Sequence, residues 1–288
     1  MELLSKVVPI AMLVFVVSSM LAVGVSLTVG QIAAPLRNGK LVSLALLANF
    51  IVMPLGALAI ARLLKLDQPL GIALLLLGAA AGAPFLPKLA GIAKGNLAFA
   101  VGLMVLLMVL TVAYMPLVLP LLLEGVSVNP MKIARSLVLL MLIPLGAGLL
   151  VKARFSPIAE RIRAPLNRTS SLSLAVLVVL LLISNIRNVI ALFGTRGILA
   201  SILFLIAGAA IGWLLGGSSS EMKGVLSLGT AQRNIAAALV VGGQNFEDPN
   251  VLVMVVVVAV VGLLILMPLA RVMGRRGALQ ELKIARQD

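Results

Sequence analysis

Arg233 is the residue from which chemistry in this chain has to start. It stands in Leu228-Gly229-Thr230-Ala231-Gln232-Arg233-Asn234-Ile235, about ten residues from either end of an apolar run. A guanidinium at the middle of a helix in hydrocarbon costs about 2.5–3.5 kcal/mol on the insertion scale. Val225, Leu226, Leu228, Ile235, Leu239, Val240 and Val241 offset about 0.3–0.6 kcal/mol each, which roughly cancels the arginine and no more. The charge therefore needs a partner inside the protein. It is not a carboxylate: Glu2, Asp67, Glu124, Glu160, Glu221, Glu247, Asp248, Glu281 and Asp288 all lie in loops or tails. Carbonyls of a broken helix, water, Asn or Gln side chains and an anionic substrate remain. Two roles follow, a contact with an anionic substrate or a structural brace held by freed carbonyls. Thr230, Gln232 and Asn234 add donors and acceptors beside it. Adjacent helical residues point about 100° apart, so at most two of Gln232, Arg233 and Asn234 share a face. If the helix unwinds here, all three reach one cavity.

A second interrupted run is Leu77-Gly78-Ala79-Ala80-Ala81-Gly82-Ala83-Pro84-Phe85-Leu86-Pro87-Lys88. Two prolines and two glycines near mid-membrane prevent normal helical hydrogen bonding. Lys88 either snorkels to the headgroups on its long stem or lines a cavity. Phe85, beside the break, is the best stacking candidate among few aromatics. Asn49, in the middle of another apolar run, either makes an interhelical hydrogen bond or faces substrate.

What is missing narrows the chemistry. Proton-coupled carriers commonly use an intramembrane carboxylate or histidine, and intramembrane hydrolases need Asp, or His with Glu. This chain has no mid-span acid, no His and no Cys. Thiol catalysis, His-based zinc sites and disulfides are excluded. No enzyme activity, metal site or cofactor is expected.

The elements that position these residues are membrane spans. Of 288 residues, 62% are hydrophobic and 11% are charged; a soluble domain has about 25% charged residues. Nine apolar runs are long enough to cross a bilayer, roughly 7–30, 41–62, 69–93, 97–123, 132–151, 169–186, 198–217, 224–245 and 249–270. They lack the two-residue alternation of a membrane barrel. The first run has no clear cleavage region, so no cleavable signal peptide is expected. The longest connection, about 152–168, is basic and reads as the join between two halves. Lys and Arg number fourteen on the side that includes Arg37, Lys152 and Arg271, and seven on the side that includes Lys132 and Arg187. The positive-inside rule puts the N-terminus outside and the C-terminus in the cytoplasm. The net charge of +14 reflects that bias, so no nucleic-acid partner is expected.

An ungapped overlay puts Gly78 on Gly229, Gly82 on Arg233 and Gly91 on Gly242. One broken or polar helix then lies next to last in each half, the sequence pointer to an inverted-repeat transporter. The reading is one integral membrane domain over 1–288. It has a four-helix repeat over 1–125, a five-helix repeat over 130–275 and a short cytoplasmic tail over 276–288.

Taken in order, Asn49-Phe50-Ile51-Val52-Met53-Pro54, the break Gly78–Lys88, Ala93-Lys94-Gly95-Asn96-Leu97-Ala98 and the segment Gly229–Leu239 resemble the bile acid:sodium symporter family of membrane carriers. The resemblance spans most of the chain, without the first helix of ten-helix members. It implies an all-α polytopic fold of two inverted repeats, with a core domain of crossed broken helices, a panel domain beside it and substrate between them. This chain departs from the family at its sodium sites. The Thr/Ser-x-Ser-Asn stretch at the first break is matched by Pro84-Phe85-Leu86-Pro87. The Glu-x-x-x-Gln of the second crossing helix is matched by Ser227 and Ala231, or one residue later by Leu228 and Gln232. Coupling through the usual sodium sites is therefore not expected.

The chain accordingly reads as a secondary transporter of a small organic anion, working by alternating access in the cell membrane. Arg233, Gln232, Asn234, Thr230, Lys88, Phe85 and Asn49 are the substrate-site candidates. The alternatives are a sodium-coupled symporter using Ser227, Gln232 and carbonyls, or a non-transporting scaffold or sensor. No oligomeric state is legible. On the substrate-contact reading, Arg233→Gln abolishes uptake while leaving insertion and folding largely intact, which uptake assays beside melting of the purified variant would check.

Overall fold

A backbone in hydrocarbon must satisfy every N–H and C=O within itself, so long apolar runs fold as helices. The computed structural model describes residues 2–33, 37–123, 126, 128–194 and 196–284, and no strand occurs among them. The elements in order are α1 (Glu2–Ser26), α2 (Val29–Ala33), α3 (Gly39–Leu47), α4 (Met53–Leu63), α5 (Gln68–Ala79), α6 (Leu86–Ile92), α7 (Leu97–Leu122), α8 (Pro130–Leu137), α9 (Ile143–Arg154), α10 (Ser156–Ser184), α11 (Ile186–Gly194), α12 (Gly197–Leu215), α13 (Ser220–Ala231), α14 (Ile235–Asn245) and α15 (Pro249–Ile284). A π turn joins α3 to α4 over Ala48–Val52 and another joins α8 to α9 over Val138–Leu142. Among the described residues, eight segments are long and apolar enough to cross a membrane, against the nine expected. The run expected at 69–93 is split between α5 and α6.

The basic stretch at 152–168 is not a loop. Phe155 alone separates α9 from α10, and α10 begins at Ser156 with Pro157 in its first turn. Lys152 pairs with Glu160 across this junction. Arg161, Arg163 and Arg168 are exposed, so the turns remain helical while their charges face out. The expected tail at 276–288 is also helical as far as Ile284, and residues 285–288 lie outside the described residues. Residues 124–125, at the expected end of the first repeat, also lie outside them.

Contacts divide the helices into two groups. In the first, α1 packs against both α9 and α10. In the second, α12 packs on α13, α4 on α5, and α15 against α5, α12 and α13. Small residues permit the close approaches, as expected where lipid supplies no drive for helix association. A Cβ at Gly212 would sit 2.3 Å from Leu226 O, and one at Gly24 would sit 2.4 Å from Leu145 O. Both broken helices belong to the second group. There α5 packs along α14 and α6 along α13, the arrangement of two interrupted helices that run antiparallel and cross at their breaks.

Gly82 is constrained twice. Its φ is +80°, and a Cβ there would meet Met108 N at 2.2 Å, so the first break lies directly on the backbone of α7. Gly82→Ala is expected to abolish recovery of folded protein. Gly56→Ala, with nothing within 4 Å of the added carbon, should be neutral or stabilising by up to about 1 kcal/mol. Size-exclusion profiles and melting temperatures in detergent would check the contrast.

Candidate functional site

Three backbone interruptions meet at the crossing, and each leaves carbonyls without helical donors. At the end of α5, Ala80 N still bonds back to Leu76 O at 3.0 Å. The next N–H, on Ala81, turns instead to Thr111 Oγ1 at 3.0 Å, and Gly82 follows in the left-handed region. Ala80 N also reaches Leu77 O at 3.2 Å, so Leu77 O keeps one shared backbone donor while Gly78 O is an orphan of the helix C-terminus. At the end of α13, Gln232 becomes extended, and Asn234 N crosses to Ala80 O at 2.9 Å. Thr230 O is left in the same condition. In the π turn, Met53 N bonds Ala48 O and Pro54 has no N–H, so Asn49 O receives from neither.

Arg233 gathers the oxygens of all three interruptions. Its Nε donates to Leu77 O at 2.8 Å, and Nη2 to Gly78 O at 2.6 Å and Asn49 O at 3.5 Å. Nη1 donates to Asn49 Oδ1 at 2.7 Å and Thr230 O at 3.1 Å. A guanidinium has five N–H hydrogens, and five protein oxygens receive them. The side chain is 3% exposed. It lies at the C-terminal ends of α5 and α13, where the helix dipole favours a cation. These bonds are the ones a brace held by freed carbonyls would make. No N–H of Arg233 is left over for a substrate.

The other candidates separate into three sets. Asn49 and Thr230, both fully buried, belong to the Arg233 network. Asn49 Nδ2 donates to Ala45 O at 3.0 Å and Thr230 Oγ1 at 3.3 Å. Gln232 and Asn234 retain unpartnered groups. Asn234 Oδ1 caps α14 by accepting from Ala237 N at 3.1 Å, which fixes its Nδ2 as the outward donor. That Nδ2 and Gln232 Oε1 are buried with no hydrogen-bond partner. Buried polar groups in folded proteins are nearly always paired, so these two hold hydrogen-bonding capacity that the protein's own groups leave unused. Lys88 and Phe85 pair with each other, Nζ lying 5.1 Å from the ring centroid. Lys88 is exposed.

Two residues on α7 also build the site. Thr111 Oγ1 both accepts from Ala81 N and donates to Ala81 O at 3.1 Å, clamping the first break. Tyr114 Oη donates to Phe50 O, the carbonyl whose α-helical donor would have been the missing N–H of Pro54. Sequence reading passed over both. The available signal was their three-residue spacing, which puts the polar side chains of α7 on one face.

Side-chain oxygens suited to a metal cation are scarce. Pro84-Phe85-Leu86-Pro87 supply none, and no group of three or more His, Cys, Asp or Glu occurs among the described residues. Ser227 Oγ donates to Ala209 O at 2.8 Å. Away from the crossing, a cleft of about 650 Å³ lies between the two helix groups, lined by Val8, Lys132, Asn185, Gln244, Glu247 and Asp248 among others. At its edge Ser136 of α8 hydrogen-bonds Gln244 of α14.

A family model described as the sodium bile acid symporter family matches residues 11–192. Among curated relatives, the probable sodium/metabolite cotransporter BASS2, chloroplastic, of Oryza sativa subsp. japonica is 27% identical over 238 residues, covering 81% of this chain and 57% of its own length. The probable sodium/metabolite cotransporters BASS1 and BASS6, chloroplastic, of Arabidopsis thaliana are 25% and 27% identical, covering 80% and 81% of this chain. The chain spans 57–60% of the length of these relatives.

The network changes what Arg233→Gln should do. The variant is no longer expected to fold undisturbed, because several buried carbonyls lose their donors at about 1–3 kcal/mol each. Thr111→Val removes one donor and strands the Ala81 N–H, a loss of about 1–3 kcal/mol. Melting temperatures should fall in the order wild type, Thr111→Val, Arg233→Gln.

Proposed function

The chain belongs to the sodium bile acid symporter family, and on that premise we propose that it is a secondary transporter of a small organic anion, working by alternating access. The family is one of transporters, and the chain is a multi-pass membrane protein. The observation that carries the reading is the crossing: two antiparallel broken helices around a guanidinium whose acceptors are all neutral oxygens. Its charge is uncompensated by a carboxylate, so the positive potential there favours an anion in a low-dielectric surround. Interrupted helices at membrane depth are tolerated where they are buried or line a cavity, and half-helix ends are the usual binding elements of such carriers.

In this reading Arg233 acts on the substrate through its field, and the contacts come from its neighbours. Gln232 Oε1 and Asn234 Nδ2, unpartnered and buried, offer one acceptor and one donor at the start of α14. The helix N-terminus there favours negative charge. The cleft between the two helix groups lies at the other end of α14 and is taken as the mouth of the substrate path. With the N-terminus outside, the cleft opens on the outer face. The Ser136–Gln244 bond is then a panel-to-core contact that must break as the groups move. The two repeats are taken as 1–125 and 130–275, because each ends with a broken helix followed by a long one, α7 or α15.

A second reading, sodium-coupled symport through Ser227, Gln232 and carbonyls, is favoured by the relatives described as sodium/metabolite cotransporters and by the donor-free Gln232 Oε1. Uptake of an organic-anion panel into proteoliposomes, with a sodium gradient and with choline, separates the two. Sodium-independent uptake supports the first reading and strict sodium dependence the second. Gln232→Met supplies the site test. It deletes an unpartnered buried acceptor, so stability should be unchanged or raised, while uptake falls at least about tenfold through loss of one substrate hydrogen bond, a change of about 1.4 kcal/mol. Undiminished uptake by this variant would exclude Gln232 as a contact.

A further inference from the structure

We propose that Arg233 is a resident cation: its guanidinium fills, from within the chain, an oxygen cage at the crossing built like a monovalent-cation site. The inference rests on the transporter reading of the crossing and adds what the site holds. The cage consists of Leu77 O, Gly78 O, Thr230 O, Asn49 O and Asn49 Oδ1, all within 2.6–3.5 Å of guanidinium nitrogens. Four of the five are main-chain carbonyls, supplied by α5, α13 and the π turn; Gly78 O, Thr230 O and Asn49 O lack helical donors, and Leu77 O shares the Ala80 N–H with Leu76 O. Rings of such carbonyls, and the C-terminal ends of half-helices, are what proteins use to replace the hydration shell of a small cation.

The cage has no carboxylate, so its own charge is neutral and one unit of positive charge satisfies it. The backbone of Arg233 lies in the second break, so the tethered cation reaches from one broken helix to the other and to the π turn. A dissolved ion would bind and leave in each cycle. The tethered one stays, so the charge at the crossing is constant and the crossing needs no external cation to form. The site in this chain is therefore not open to sodium. The oxygens are already taken, and the side chains at Pro84-Phe85-Leu86-Pro87 add none.

If the cage is a cation site, emptying it should leave a site for a free cation of matching shape. The experiment is thermal melting of the purified full chain as wild type and Arg233→Ala, in choline chloride, with millimolar guanidinium, methylguanidinium, sodium or potassium added. Arg233→Ala should melt several degrees below wild type and recover saturably with guanidinium. The wild type should respond to none of the four. Failure of every cation to raise the melting temperature of Arg233→Ala would overturn the proposal. If that variant cannot be purified, wild type alone decides: equal melting in sodium and choline supports the resident cation, and a saturable sodium-specific rise overturns it. Melting reads binding only, so absence of uptake across the anion panel would sink the transporter reading without changing this result.

Discussion

Carbonyls that have lost their helical donors must find others, and in this protein that constraint organises the centre of the molecule. Water cannot serve freely at membrane depth, and each unpaired group costs several kcal/mol. Two helix ends and one π turn present such carbonyls within reach of each other. One guanidinium, with donors in a planar fork, meets them together. The price of burying the charge is offset by charge-assisted hydrogen bonds, each roughly twice as strong as a neutral one. Removal of either party leaves the other exposed to that cost, so the breaks and Arg233 depend on each other.

The surrounding packing follows from the need to hold the breaks in register. Thr111 clamps the first break to α7, and Gly82 lets the backbone approach Met108 closely enough for that clamp to reach. Asn234 N bonds Ala80 O across the crossing. Gly208 and Gly212 bring α12 against the turns of α13 that lead into the second break. The outer helices carry less of this burden. α10 exposes Leu172, Val176, Val179 and Ile183, as a lipid-facing helix does.

A crossing tied this tightly is suited to move as one body. The core around the breaks is held by hydrogen bonds that leave little freedom within it. At the described cleft, α8, joined through its π turn to α9 of the other group, makes a side-chain bond from Ser136 to Gln244 of α14. In the alternating access proposed above, one group would rock against the other across this boundary. The unpartnered amide groups of Gln232 and Asn234 lie in the stiff part, where a substrate would be carried with the body.

Much of this was already determined by the sequence alone. Apolar runs of spanning length left helices as the available structure. The positions of Pro84, Pro87 and Gly82 required a break, and the absence of mid-span acids showed that Arg233 had to be held by neutral groups or by substrate. The ungapped overlay of the two breaks was correct to within one residue, since the caps fall at Ala80 and Gln232. The helix continues through 156–168 although the charges there read as a connection, because exposed charged side chains leave the backbone hydrogen bonds of α10 intact. Only the tertiary structure decided which donors meet which acceptors. Gln232, Arg233 and Asn234 are adjacent in the chain, yet one is wholly engaged and its two neighbours are not. That difference depends on where Leu77, Gly78 and Asn49 place their oxygens, and those residues lie more than 150 positions away. Local pattern records that a charge must be met. The partners are set by three distant stretches of backbone converging in space.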